Sequence, residues 1–342
     1  MTNPTLVEVT RGPRVESSHR GAIAVVDANG RRVASIGDVE TPIFPRSAVK
    51  PIQALPFIES GTADAYRFGN AELALACASH GGEPRHVEGV TAMLAAVGLD
   101  EAALECGASW PANEDARIAL ARSGARPTAL HDNCSGKHAG FLATVRHSGW
   151  EQRGYVAPDH PVQERVREAL ADLTGAVLDD HVRGIDGCSI PTYAIALENL
   201  ARGFARYVTG AGLSSDRAAA ARRLVRACQS EPFLVAGTGR FDTEATMRFG
   251  ARLLVKVGGE GVFCAGFPEL GLGAAIKCDD GAGRGAEVMM AAVIASVLKL
   301  TEAELHEFER RLRPPVLTRR GAKIGEFRPS VELAAFQSQL QH

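Results

Sequence analysis

The sequence predicts an α+β fold, in which one mostly antiparallel sheet is built from both chain ends and a helical middle lies between them. Three observations carry this reading. Strand-like runs occur near the N-terminus and again after about residue 250. The stretch from about residue 47 to about residue 229 instead shows mostly helical periodicity. No repeat or low-complexity linker divides the 342 residues, so residues 1–342 are expected to form a single domain.

The elements follow in chain order. Residues 21-GAIAVVDANGRRVASIGD-38 read as a hairpin, because β-rich runs flank Asn29-Gly30, a pair suited to positive φ. Four segments read as helices: 71-AELALACASH-80, 86-HVEGVTAMLAAVG-98, 161-PVQERVREALADLTG-175 and 191-PTYAIALENLARGFARYV-208. The last is expected to start at Pro191, because a first-turn residue needs no N–H. Strands return at 252-RLLVKVGG-259, 261-GVFCAGF-267 and 272-LGAAIKCDD-280, and an apolar helix follows at 284-RGAEVMMAAVIASVLKL-300.

Composition narrows the function classes. The chain is 45% hydrophobic and 23% charged, with net charge −2, which suits a soluble globular protein. Nucleic-acid binders carry a basic surplus, so no nucleic-acid partner is expected. No apolar run approaches the ~20 residues of a membrane span, so no membrane association is expected either. The first residues, MTNPTLVEVTRG, lack a signal-peptide core, and the expected location is the cytoplasm. There the seven cysteines read as free thiols, with metal ligands possible among them.

Five polar clusters are candidates for chemistry. In 45-PRSAVKPIQALP-56, Ser47 and Lys50 are three residues apart and share one helix face. Pro51 is tolerated only near a first turn, so the helix should begin close to Ser47. A serine there lies at the positive helix end, and a desolvated lysine can take its proton. The structural alternative is an ordinary N-cap followed by a solvated lysine. In 76-ACASHGGE-83, Ser79 fits an active-site wall, while His80 and Gly81 equally fit a helix C-terminus.

The third cluster, 131-HDNCSGKHAGFLATVRHSG-149, places six polar side chains before an apolar helix that Asn133 or Ser135 could cap. Ordinary zinc chemistry would select His131, Cys134 and His138, although a structural zinc site wants four ligands at short, regular spacing. In the fourth, 185-IDGCSIPTYAIALENLA-201, Asp186 and Cys188 precede a helix, so Cys134 and Cys188 could meet in space at two helix N-termini. In the fifth, 255-VKVGGEGVFCAGF-267, Lys256 interrupts an apolar strand. A lysine there is costly unless it is paired or deprotonated, or else it guards an edge.

Ser-x-x-Lys early, a second serine in the helical middle and Lys-x-Gly on a late strand is the order of parts in serine acyl enzymes of the β-lactamase and penicillin-binding type. Here the late motif is Lys256-Val257-Gly258, without the middle hydroxyl, which counts against a β-lactam substrate. Over nearly its whole length the chain resembles the rhizobial-type, thermolabile L-asparaginases of the asparaginase II family. The stretches that carry the resemblance are VEVTRG, FPRSAVKPIQALP, ASHGGE, HDNCSGKHAGFL, IDGCSIPTYA, VKVGGEGV and AAIKCDDG.

The resemblance implies a fold like that of serine β-lactamases and serine-dependent glutaminases, and a homodimer. It implies two Ser–Lys pairs, Ser47 with Lys50 and Ser79 with Lys256. It implies a zinc ion held by Cys134, Lys137 and Cys188, in place of the histidines. It further implies substrate contacts from Arg46, His138 and Asp186. Lysine ligates only as the neutral amine, so Lys137 would need a lowered pKa. The expected reaction is hydrolysis of the side-chain amide of L-asparagine to L-aspartate and ammonia, with Ser47 as nucleophile and Lys50 as base. Three rival readings are a zinc-hydroxide amidohydrolase, a β-lactamase- or peptidase-like serine hydrolase, and a non-enzymatic protein with structural zinc.

Overall fold

The computed structural model describes residues 2–341. Strands β1 (Thr5–Arg11), β2 (Arg14–Asp27) and β3 (Arg32–Ile36) come from the N-terminal end. A short ribbon, β4 (Arg183–Ile185) and β5 (Pro191–Tyr193), interrupts the helical middle. The C-terminal part supplies β6 (Leu254–Val257), β7 (Val262–Phe267), β8 (Leu272–Cys278), β9 (Pro315–Leu317) and β10 (Lys323–Pro329).

The eight strands outside the ribbon form one sheet in the order β6-β7-β8-β2-β1-β10-β9, with β3 also paired to β2. Every pairing is antiparallel. The long β2 joins the two chain ends. Its first half pairs with β1, and its second half pairs with β3 and β8, with Ile23 opposite Ile276. The second half is buried on both faces, because helices cover both sides of the sheet there.

Strand periodicity sorts side chains into two cores. Ala22, Ala24, Val26, Leu254, Val262, Cys264 and Ala275 join the core shared with the helical middle. Ile23, Val25, Val255, Phe263, Phe267 and Ile276 face the other core, built with helices Phe241–Phe249, Gly283–Val297 and Val331–Gln341. Lys256 is two residues from Leu254 and therefore faces the helical middle. Among the described residues no helix is long and apolar enough to cross a membrane.

The expected hairpin forms around Asn29-Gly30: Gly30 takes φ 90°, and the Asp27 carboxylate accepts the N–H groups of Asn29 and Arg31. The helix expected from Pro191 is corrected. Pro191–Tyr193 is strand β5, and the helix begins only at Leu197 and runs to Thr209. A tight turn forces this. Ser189, at φ 76°, donates its N–H to Asp186 O, and Asp186 N–H reaches Ile190 O. Residues 191–193 then pair back onto β4, a contact that periodicity along one segment cannot register. Neither Asn133 nor Ser135 caps the helix Ser135–Ser148: Cys134 is its N-cap, without a side-chain cap bond, and the Ser135 hydroxyl donates to Leu130 O.

Helix Leu197–Thr209 packs on the sheet where glycines let it approach. A Cβ at Gly273 would lie 1.9 Å from Ala201 O, and one at Gly266 would lie 2.5 Å from Val208 Cγ1. Because the clash at Gly273 is with backbone, no rotamer change relieves it. Gly273→Ala is expected to lower the unfolding free energy by about 1–3 kcal/mol, read from the urea midpoint at unchanged m-value.

Candidate active site

Four segments distant in sequence meet at one cleft. Ser47 lies on a short 3-10 turn, Arg46–Val49, that runs into helix Lys50–Gln53. Arg46 holds φ 52°, a left-handed conformation unusual for a residue with a Cβ and concentrated at functional sites. Ser79 lies in the loop that follows helix Asn70–Ala76. That loop is tied down on both sides: Ser79 N–H donates to Val235 O at 2.9 Å, and His80 N–H donates to Asn133 O at 3.2 Å. The Glu83 carboxylate accepts Thr238 N–H at 2.8 Å and its hydroxyl at 2.6 Å, which joins the Ser79 loop to the segment carrying Arg240. At His80, the helix-end alternative is not what forms: Cys77 is the C-cap, and Gly82, not Gly81, takes positive φ.

The Ser79 hydroxyl is the hub. Lys50 Nζ reaches its Oγ at 2.9 Å, and Lys256 Nζ reaches it at 3.0 Å from the opposite side. Both lysines are fully buried. Lys50 also donates to Ala78 O at 2.7 Å and contacts Asn133 Oδ1 at 3.5 Å. Lys256 also donates to Val257 O at 3.1 Å and contacts Asp242 Oδ2 at 3.5 Å. The sequence pairing is therefore rearranged. Ser79 and Lys256 touch as anticipated, but Lys50 turns to Ser79, and no hydrogen bond joins it to Ser47. The α-helix begins at Lys50 rather than at Ser47, after a 3-10 turn over Arg46–Val49, and the Lys50 amine is taken up in the core by Ala78 O and Ser79 Oγ.

Electrostatics follow from this crowding. Burial, opposed by Asp242 and helped by Lys50 and Arg240, lowers the Lys256 pKa from 10.5 to about 8. A neutral lysine keeps a lone pair that can accept a proton from Ser79, so this group is poised for acid–base work near neutral pH. Asp242, itself buried, also accepts Val257 N–H at 3.0 Å and so fixes the strand end that carries Lys256.

The cleft in front of Ser79 has a volume of about 350 Å³. Its wall includes Ser47 and Ser79, the charged residues Arg46, Asp132, Asp186 and Arg240, Asn133, the thiols Cys134 and Cys188, and Gly258 and Gly259. A larger groove of about 740 Å³ lies between Arg284, Arg310 and Phe327, but it contains neither serine nor either buried lysine. Chemistry rather than size selects the smaller cleft. Arg46 Nε and Asp186 Oδ1 form an ion pair at 2.5 Å on its wall. His138 does not line the cleft. It is fully buried behind it, 2.7 Å from the Tyr155 hydroxyl, and burial first, then Lys137, lowers its pKa to about 3. Its Nε2 finds no partner among the described residues.

Cys134, Lys137 and Cys188 converge beside the cleft. Lys137 Nζ lies 3.1 Å from Cys188 Sγ, and all three side chains are buried. The two thiols contact one another and shift in opposite directions. Contact with Cys134 chiefly, then Lys137, lowers the Cys188 pKa to about 5, while contact with Cys188 and burial push Cys134 up to about 12. Lys137 is held above its ordinary value, because the two thiols outweigh its burial. Two soft sulfurs and an amine fit a zinc ion, provided binding displaces the lysine proton. His131, Cys134 and His138 do not form a ligand set. Among the described residues, three His, Cys or carboxylate ligand atoms come within 4.8 Å of one another only at His19, Cys278 and Asp280, none of which lines the cleft.

Asp132, Arg240 and Asp242 were absent from the sequence-based site. Asp132 sat inside a motif without a role, and the stretch 237-GTGRFDT-243 carries no local signal that it would fold against Lys256.

A hydroxyl between two buried lysines, beside a second serine in a polar cleft, is an arrangement suited to acyl transfer, and family membership gives the class of the chain, a hydrolase acting on amides. It belongs to the L-asparaginase II family, whose model matches residues 7–329. No curated protein matches the sequence. Two solved structures are similar to this chain over much of its length. One is a β-lactamase from Mycobacterium bovis, 17% identical over 84% of this chain and 94% of that chain, with a TM-score of 0.42. The other, designated Mglu, is 16% identical over 87% of this chain and 71% of that chain, with a TM-score of 0.36.

The lowered Lys256 pKa makes stability depend on pH. Between about pH 8 and 10.5 the unfolded chain holds a proton on this lysine that the folded chain has released. Stability should therefore rise with pH across that window, with the full cost of the buried charge present below it. The increment is roughly 3 kcal/mol. Comparing urea unfolding of wild type and Lys256→Met from pH 7 to 10.5 should show the increment in wild type and its loss in the variant.

Proposed function

We propose that the protein is an L-asparaginase, hydrolysing the side-chain amide of L-asparagine through an aspartyl ester on Ser47. The observation that carries this reading is the Ser79 hydroxyl held by Lys50 at 2.9 Å and Lys256 at 3.0 Å in a cleft that Ser47 also lines.

Ser47 Oγ attacks the amide carbon. Its proton passes to Lys50, directly or through Ser79, as the hydrogen bonds tighten around bound substrate. The N–H groups of Ser47 and Gly259, both residues of the cleft wall, would hold the oxyanion. The C–N bond then breaks, and Ser79, supplied by Lys256, hands the leaving nitrogen its proton so that ammonia departs. Water adds to the ester, the same relay takes its proton, and L-aspartate leaves with Ser47 restored.

Arg46 and Asp186 shape the substrate side of the cleft. Cys134, Lys137 and Cys188 would hold zinc. Bound there, the ion would supply a fixed positive charge beside the substrate. Metal analysis of the purified protein should find about one zinc per chain, lost in Cys188→Ser.

A second assignment has one observation in its favour: both lysines touch Ser79 and neither touches Ser47. In that case Ser79 itself attacks. Ammonia release from L-asparagine separates the two, together with mass-spectrometric mapping of the aspartyl ester after rapid quenching. Ser47→Ala is expected to lower kcat by at least about 10³-fold, with the ester on the Ser47 peptide of the wild type. Ser79→Ala and Lys256→Met, as relay variants, are expected to lose about 10²–10⁴-fold. An ester on the Ser79 peptide would reverse the assignment. Wild-type enzyme that releases no ammonia would remove L-asparagine as the substrate.

A further inference from the structure

Arg240 touches no member of the relay described above, although its charge helps lower the Lys256 pKa, and it stands on the cleft wall with Ser47 and Ser79. It is only half-buried, at the start of helix Phe241–Phe249, and Thr238 and Glu83 anchor its loop. Its side chain makes no hydrogen bond or ion pair with any described residue. The carboxylate it acts on electrostatically, Glu287, is already bonded by Arg311 at 3.1 Å.

The other charges of the wall are accounted for. Arg46 and Asp186 neutralise one another at 2.5 Å. Asp132 accepts the Cys134 N–H at 2.8 Å, and burial raises its pKa. Arg240 is thus the cation on this wall without a counter-anion. A guanidinium with free N–H groups on a polar cleft is a receptor for a carboxylate, which it can take through two parallel hydrogen bonds.

We propose that Arg240 binds the α-carboxylate of the substrate and so restricts the cleft to free α-amino acids, excluding asparagine residues within peptides. This rests on the reading of the cleft as the site of amide hydrolysis. The carboxylate supplies the anion that the wall lacks, and Asp132 and Asp186 offer acceptors for the substrate ammonium. A peptide-linked asparagine presents a neutral amide at the same place, leaving the guanidinium unpaired in a partly desolvated site.

The test compares Arg240→Met and Arg240→Lys with wild type on L-asparagine and on L-asparagine amide, whose α-carboxylate is replaced by a carboxamide. For wild type, the KM for the amide should exceed that for L-asparagine on the order of 100-fold. Arg240→Met should raise the KM for L-asparagine by a similar factor, leave the amide nearly unchanged and so abolish the discrimination. Arg240→Lys, keeping charge without the fork, should recover part of it. A purely structural or proton-relay role would depress both substrates equally, and that result overturns the proposal, as does an Arg240→Met variant that still discriminates.

A binding measurement separates this from the functional reading. L-Aspartate, but not L-isoasparagine, should raise the thermal transition of wild type, and neither should do so in Arg240→Met. Arg240-dependent protection by L-aspartate without ammonia release from L-asparagine would keep the carboxylate site and remove the asparaginase reading. Ammonia release with KM unaffected by Arg240→Met would do the reverse. Neither ammonia release nor protection would remove both.

Discussion

Two lysines share one hydroxyl in the interior of this protein, and one of them lies against a buried carboxylate. Lys50 and Lys256 both contact Ser79, and Asp242 stands 3.5 Å from Lys256. Burial, with Lys50 and Arg240 nearby, disfavours the charged form of Lys256 and brings its pKa down to about 8. The same crowding that would be a defect in a structural core makes a proton acceptor available close to physiological pH.

The sheet is what makes the arrangement possible. Period-two alternation sends Lys256 to the face covered by the helical middle, while Val255 goes to the opposite core. Asp242, from the first turn of helix Phe241–Phe249, reaches the end of β6 and fixes Val257 N–H. Glycines at 266 and 273 bring helix Leu197–Thr209 down onto the sheet without side-chain clearance. The strained Arg46 and the unpaired Arg240 are two local departures from ordinary folding rules that stand on the cleft wall. Such departures persist where the surrounding structure over-determines them.

Much of the fold was legible in the sequence. The asparagine–glycine hairpin, the three strands between residues 252 and 280 and most of the helices read from periodicity appear within a few residues of where periodicity and turn chemistry put them, whereas strands β9 and β10 were not read at all. One exception is instructive. Pro191 opens a strand because residues 191–193 pair with 183–185 across a turn closed by Asp186 and Ser189. A proline at a first position suits a helix or a strand equally, and only the partner strand decides.

The sequence by itself determined which chemistry the chain could hold: serines and lysines in motif spacing, two thiols and a lysine before helices, and an apolar pattern able to bury them. It could not decide who touches whom. Lys50 was paired with Ser47 on an assumed helix face, but its amine is taken by Ala78 O and Ser79 Oγ, 28 and 29 residues further along the chain. Arg240 and Asp242 carried no local signal because Arg240 meets Ser47 and Ser79 only at the folded cleft, and Asp242 meets the end of β6 only once helix Phe241–Phe249 packs against it. Periodicity and spacing report short-range geometry. The protonation state of Lys256 and the charge left open at Arg240 depend on desolvation and on neighbours brought in from far along the chain, and only the tertiary structure supplies those.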